Sequence, residues 1–286
     1  MCQIWKADKY SVSPSNFEKS VIKDYKLPKQ LKIHDVTLRD GEQQVGVSFR
    51  KDEKVRIAEK LAEVGVHRIE AGMPAVSRED KEAIKEIENL DLGPEIFALC
   101  RCRNDDIKKA ADCGVSGIVV EIPCSEHMIQ HCFQWDVDKV VNLAIEGTRT
   151  AHDQGVHVTL FGIDSSRAEY KWLSDIISRI SVSGHIDTFA IVDTQGVLSI
   201  AGSRFLIRSL KRDFTMPIEI HYHNDLGMAN ANCLASIEEG AEVAHTTVLG
   251  MGPRAGQAST EQLAVALKLL YDVDLGIRIE KLYDLC

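Results

Sequence analysis

No hydrophobic run in this chain approaches the roughly 18 residues that a membrane helix needs. The stretch after Met1 has no apolar core of the kind a secretory leader carries, so nothing argues for export and a cytoplasmic location is expected. Basic residues do not dominate either. The 34 Lys and Arg stand against 43 Asp and Glu, a net charge of −9 that disfavours nucleic acid or an anionic membrane as a partner. That balance still permits a local basic pocket for a small anion. The eight cysteines include no C-x-x-C pair, and their scattered positions read as reduced thiols rather than a disulfide framework. No Gly-rich phosphate loop follows the first strand-like run, which argues against a doubly wound dinucleotide-binding sheet.

What is present is enough chain for a full core: 286 residues, 44% of them hydrophobic. Residues 1–30 are polar and read as a preamble with one short helix over 16–23. From position 31 a rhythm sets in of short apolar run, turn and amphipathic helix. Strands are expected over 31–38, 67–72, 95–100, 117–122, 156–161, 188–192, 217–223 and 243–248. Helices are expected over 52–64, 78–88, 105–113, 137–154, 169–182, 200–211, 226–239 and 257–270. Asp52 and Glu53 open the first helix and Gly65 closes it, while Ser77 with Asp80 reads as a capping box. Strand and helix alternate eight times in the length that an α/β (β/α)8 TIM barrel needs, over residues 31–272, with a short tail over 273–286.

A barrel of this kind does its chemistry where strands end and loops begin. Reading those ends in order gives Arg39, Asp40 and Gln43, then Glu70, Arg101, Glu121, Asp164, Asp193 with Thr194, His221 with His223, and a glycine loop over 250–256. Two histidines at i and i+2 on one strand share a face. With a rim aspartate they offer three ligands to a divalent metal such as Mn2+, Mg2+, Zn2+ or Fe2+ and leave positions open for substrate. Arg39 adjoins that set and can stabilise an enolate or alkoxide; its plainer use is a salt bridge to Glu70 or Glu121. Thr194 offers a hydroxyl and an N–H to a carboxylate, or caps a turn. Glu121 stands on an apolar strand and must be paired or protonated there.

Together these residues resemble the DRE-TIM metallolyase superfamily of isopropylmalate, homocitrate and citramalate synthases, with hydroxymethylglutaryl-CoA lyase as a relative. The matching stretches are Thr37-Leu38-Arg39-Asp40-Gly41-Glu42-Gln43, Ile69-Glu70-Ala71-Gly72-Met73-Pro74, Asp164 to Arg167, Asp193-Thr194-Gln195-Gly196, His221-Tyr222-His223-Asn224-Asp225 and Thr246 to Gly256. The wording around Gly46-Val47-Ser48-Phe49 is most similar to the homocitrate synthases of nitrogen fixation. The resemblance implies a TIM barrel and a metal-dependent Claisen condensation of acetyl-CoA with a 2-oxo acid, an acyltransferase reaction in amino-acid biosynthesis. It implies a divalent metal on Asp40, His221 and His223, with Gln257 as a further ligand where the family has Asn. Arg39, Glu70 and Thr194 take catalytic parts, and Gln43, Arg101, Glu121 and Thr194 bind substrate. Leu249 and Pro253 replace the family's Asn and Glu in the same loop. The lyase branch carries a cysteine there and this chain has none, so a carbon–carbon lyase, or a non-catalytic subunit, is the alternative. The synthases continue beyond the barrel into helical segments that this sequence does not contain, which leads to the expectation of a homodimer or of a hetero-oligomer whose other subunit supplies those helices.

Overall fold

In the computed structural model, which describes residues 5–7 and 10–286, eight parallel strands close into a barrel. They are β1 (Lys32–Asp35), β2 (Arg68–Glu70), β3 (Glu95–Arg101), β4 (Gly117–Pro123), β5 (His157–Ile163), β6 (Thr188–Asp193), β7 (Ile218–Tyr222) and β8 (Val243–Thr246). Each pairs with the next, and β8 closes the ring on β1 with His245 opposite His34. Between them run α1 (Lys51–Val64), α2 (Arg78–Asn89), α3 (Asn104–Ala111), α4 (Val137–Asp153), α5 (Tyr170–Ser183), α6 (Ile200–Asp213) and α7 (Ala229–Glu238). Helix α8 (Thr260–Leu270) follows the last strand. The expected (β/α)8 TIM barrel is the fold.

Local signals explain the boundaries. The side chains of Ser77, Asp136, Ser199 and Ser259 accept the backbone N–H groups of Asp80, Lys139, Gly202 and Gln262, which starts four of the helices. Gly65, at φ 93°, ends α1 in the left-handed conformation that a side chain would resist. The capping box expected at Ser77 is only half formed. The Asp80 carboxylate turns instead to the Met73 N–H and to Lys54. At the amino end Glu18 is extended, so a 3-10 turn (Pro14–Phe17) and a single helical turn (Lys19–Ile22) replace the one helix expected over 16–23. At the carboxyl end the Arg278 N–H reaches the Val64 carbonyl and Leu282 is buried, so the segment expected as a tail is anchored on the barrel.

Strand alternation divides the core in two. Ile33, Ile69, Ile96, Ala98, Ile118, Val120, Leu160, Ile191 and Ile220 belong to the large cluster that the helices cover. The opposite positions make a second cluster of Phe97, Leu99, Val119, Phe161, Ala190 and Val192. On β1, β2, β7 and β8 the corresponding positions are polar instead: His34, Arg68, Glu70, Glu219, His221 and His245, all buried. The interior is therefore largely apolar along β3–β6, with Thr159 and Thr188 as polar exceptions that hydrogen-bond Glu219, and polar along the other four strands. The two halves meet where Phe161 packs edge-on against His221, with ring centroids 4.9 Å apart. Among the described residues no helix is long and apolar enough to cross a membrane, and seven cysteines, four of them buried, are free.

Candidate metal centre and its rim

Strand β1 stops at Asp35, three residues short of the expected end. The Asp35 carboxylate accepts the Thr37 N–H (2.9 Å) and the Thr260 hydroxyl (2.8 Å). The Val36 carbonyl then gathers the N–H groups of Arg39, Asp40 and Gly41 at 2.8–3.2 Å. Chain that read as strand is thus folded into a turn, and this turn brings Arg39 and Asp40 over the mouth. Two strands away around the ring, beyond β8, β7 delivers His221, and an isolated bridge from His223 to Gln257 carries the second histidine beyond the strand end. One ligand atom from each of Asp40, His221 and His223 lies within 4.8 Å of the others, and all three residues are buried.

Arg39 fills the space between carboxylates. Its Nε donates to Glu70 and its Nη1 to Asp40, and its guanidinium lies 5.9 Å from the Phe161 ring centre. The Gln257 amide donates to Asp40 and stands 3.1 Å from His221 Nε2. Buried polar atoms without a partner concentrate on this cluster: Arg39 Nη2, Glu70 Oε2, His223 Nδ1 and Gln257 Oε1. Groups with unused hydrogen-bonding capacity around two imidazoles and a carboxylate match the donor set of a divalent cation. Rotating the amide of Gln257 would bring its unpartnered oxygen to the place its nitrogen holds.

The other expected residues separate. Gln43 is exposed, beside Arg39 on a cavity of ≈ 400 Å³ that Phe49, Lys54, Met73 and Asp80 also line. Glu70, fully buried behind Arg39, reaches the mouth only through that guanidinium. Arg101 is half exposed and tied by its Nε to Asp106 at 2.6 Å, away from Asp40, His221 and His223. It shares with Glu121, Trp135 and Ile163 a separate cavity of ≈ 200 Å³. Burial pushes the Glu121 carboxyl up, against the pull of Arg39. The Thr194 hydroxyl accepts the Asp164 N–H at 2.8 Å, which leaves its own hydrogen free to donate. Asp193 accepts Ser166 and the Leu198 N–H, the turn-capping role.

The glycine loop after β8 is held by Arg254, whose guanidinium forks onto Asp225 at 2.7 and 2.9 Å and reaches the Thr194 carbonyl at 2.6 Å. Gly256, at φ 82°, lies so close to the Gly250 carbonyl that any Cβ there would collide with it. Leu249 adopts φ 57° and is exposed, a left-handed conformation that asparagine tolerates and leucine resists. Sequence reasoning missed Gln44, whose side chain accepts the Gly252 N–H, and Ser125, which donates to Asp164. It also missed the interior group of His34, Glu219 and His245, because each stands among other polar residues of its strand: Lys32 and Asp35 beside His34, His221 beside Glu219, and Thr246 after His245.

Burial holds His34 and His221 well below the ordinary histidine value and His223 below it, the charges of neighbouring histidines and of Arg39 adding to the effect at His34 and His221. A histidine lowered in the folded state contributes stability above its unfolded value near 6.5 and loses it as pH falls below that value. Each withdraws up to about 1.4 kcal/mol per pH unit. Asp35, pushed up to about 6 by burial, acts in the opposite sense, since the folded state keeps its proton longer on alkalinisation. His67 and His157 are lowered by burial as well, and Glu88 and Glu121 are raised like Asp35. Five histidines thus oppose three carboxyls, so the metal-free protein should melt at progressively lower temperature from pH 7 to pH 5. Scanning fluorimetry across that range checks this, and a flat profile would contradict the assignment of neutral buried histidines.

Comparison with known proteins agrees with the geometry. Residues 30–286 match the HMGL-like family. The chain is 39% identical over 277 residues to homocitrate synthase AksA of Methanothermobacter thermautotrophicus, covering 97% of this chain and 70% of that protein. It is 40% identical over 264 residues to a probable 2-isopropylmalate synthase of Ignicoccus hospitalis, covering 90% of this chain and 65% of the relative. This chain thus spans about two thirds of the length of these curated relatives. Among solved structures, the HMG-CoA lyase of Bacillus subtilis superposes with a TM-score of 0.81 at 19% identity, over 91% of this chain and 92% of that one, which speaks for the fold. A family match that runs from just before β1 to the last residue, together with relatives near 40% identity over most of the sequence, leaves one conclusion: the chain belongs to the HMGL-like family.

Proposed function

We propose that the protein catalyses a divalent-metal-dependent Claisen-type condensation, joining the acetyl group of acetyl-CoA to the carbonyl carbon of a 2-oxo acid. The observation that carries this reading is the convergence of Asp40, His221 and His223 beside a guanidinium at the barrel mouth. The names of the synthase relatives support it. In the loaded protein those three residues hold the cation, with the Gln257 side chain next to them. When bound, a divalent ion there polarises a carbonyl oxygen as a Lewis acid.

The chain's own groups supply the rest. Arg39 keeps one nitrogen, Nη2, free of protein partners, so it can donate to an oxyanion that develops next to Asp40. Glu70 acts through Arg39 by fixing its Nε. The free hydroxyl hydrogen of Thr194 and the side chain of Gln43 bind the carboxylate of the oxo acid at the rim. Glu121, from the separate cavity that it shares with Arg101, serves the substrate's far end.

Release of thiol from acetyl-CoA, followed with a chromogenic disulfide in the presence of Mn2+, tests the reading with pyruvate, 2-oxoisovalerate, oxaloacetate and 2-oxoglutarate in turn. Release with one of them assigns the reaction and names the substrate. Silence with all four from a protein that binds Mn2+ would overturn the condensation.

A further inference from the structure

We propose that His245 and Glu219 form a positioning relay behind the metal centre, holding the His221 ring with its Nε2 lone pair turned toward Asp40. The proposal rests on the metal-binding reading above and extends it to two residues that lie behind the ligands, deeper in the barrel. Both are wholly buried on neighbouring strands: Glu219 shares the inward face of β7 with His221 at i and i+2, and His245 stands on β8 beside them.

With the Gln257 nitrogen held toward Asp40, to which it donates, the hydrogen bonds admit one proton arrangement. Gln257 Nε2, an amide donor, stands 3.1 Å from His221 Nε2, so that ring nitrogen accepts. A cation at the centre demands the same lone pair, so with or without it the His221 proton sits on Nδ1. His221 Nδ1 is 3.3 Å from His245 Nδ1, which must therefore accept and leave the His245 proton on Nε2. That Nε2–H lies 2.7 Å from Glu219 Oε2 and donates to it. The second oxygen of Glu219 receives Arg68 at 2.9 Å, Thr188 at 2.7 Å and Thr159 at 3.3 Å, so the carboxylate is charge-compensated and cannot turn. Carboxylate, imidazole and ligand imidazole thus run in one line from the barrel floor to the mouth. Such a line fixes the ligand's tautomer and ring angle and raises its basicity toward a metal.

The same neighbourhood offers a rival arrangement. Ligand atoms of His34, Glu219 and His245 also lie within 4.8 Å of one another, and both His34 nitrogens lack partners. A cation held there would need a lone pair from His245. If it took Nε2, the nitrogen that faces Glu219, the relay would lose its donor, so the two arrangements exclude each other. The relay keeps the 2.7 Å bond intact, whereas His34 Nδ1 is 4.0 Å from Glu219.

The test uses the full chain with Mn2+ and with Co2+ as a spectroscopic probe. His245→Leu removes the acceptor behind His221 and should weaken Mn2+ binding by about 10–100-fold and alter the Co2+ absorption bands. The metal-free variant should melt a few degrees lower, since the buried His221 Nδ1–H and Glu219 Oε2 lose their partner, while its circular dichroism stays that of the folded barrel. His245→Asn, which restores an acceptor oxygen, should recover much of the affinity. Unchanged Mn2+ affinity in a folded His245→Leu chain overturns the relay while leaving the metal centre intact. A second measurement needs no variant: ring-nitrogen NMR of the metal-free wild type should show His221 protonated on Nδ1, and a proton on Nε2 overturns the relay even if Mn2+ never binds. Two ions per chain, one of them surviving Asp40→Ala, would place a cation on His34, Glu219 and His245 and overturn it as well.

Discussion

On the proposed metal site, Asp40→Ala should abolish Mn2+ binding and turnover while the barrel stays folded. Asp40 is the only carboxylate of the ligand set and comes from a turn, not from a strand, so its loss leaves two imidazoles and no anion to hold the cation. A neighbour that only orients a ligand costs about 10–100-fold in affinity when removed, so loss of a ligand should exceed about 100-fold. Turnover should fall by about 10³-fold or more, since the Lewis-acid contribution to oxyanion stabilisation goes with the ion. The fold should survive, because Arg39 keeps its bond to Glu70 and the turn is held by the Val36 carbonyl and by Asp35. Calorimetric titration with Mn2+ reads the first effect and thiol release the second. Wild-type affinity in the variant would remove Asp40 from the ligand set, and His221→Ala offers the same test from β7.

Arg39→Ala should damage stability and activity together. The guanidinium is the buried counter-charge to both Glu70 and Asp40, and Glu70 has no other side-chain partner. Removing one member of a buried pair leaves an uncompensated charge and costs about 3–5 kcal/mol. In a chain of this size that lowers the melting temperature by roughly 5–15 °C. Loss of an oxyanion donor adds about 10²–10³-fold in turnover. Arg39→Lys should fail as well, because one ammonium cannot reach both carboxylates in the directions that Nε and Nη1 serve. The physical cause can be isolated: Arg39→Ala combined with Glu70→Gln removes the stranded charge, so the double variant should melt above Arg39→Ala alone. If the single variant melts within about 1 °C of wild type, the buried ion pair contributes nothing.

The alternating rhythm made the barrel legible because each apolar run and each amphipathic stretch carries its own period, 2 or 3.6 residues, independent of what it packs against. The same locality exposed Asp40, His221 and His223. Two histidines two apart share a strand face whatever the tertiary structure, and a rim aspartate follows from counting strand ends. Boundaries were less legible. The run that ends in Leu38 has strand composition throughout, but the Asp35 carboxylate takes both the Thr37 N–H and the Thr260 hydroxyl and the Val36 carbonyl captures three N–H groups, and Thr260 lies 225 residues away. Arg101 illustrates the opposite limit. Its position at a strand end was right, yet an aspartate on the following helix draws its side chain out of the mouth.

By itself the sequence determined the eightfold alternation and pointed to Asp40, His221 and His223 as candidate ligands with a guanidinium beside them, since these depend on spacing within single segments. Only the tertiary structure decided that Glu70 stands behind Arg39, that Gln257 lies between Asp40 and His221, and that His34, Glu219 and His245 meet on the inner wall. Those partners come from strands far apart in the chain. They are neighbours because ring closure sets β8 against both β1 and β7, and a shift of one residue in either pairing would turn those side chains to the opposite face.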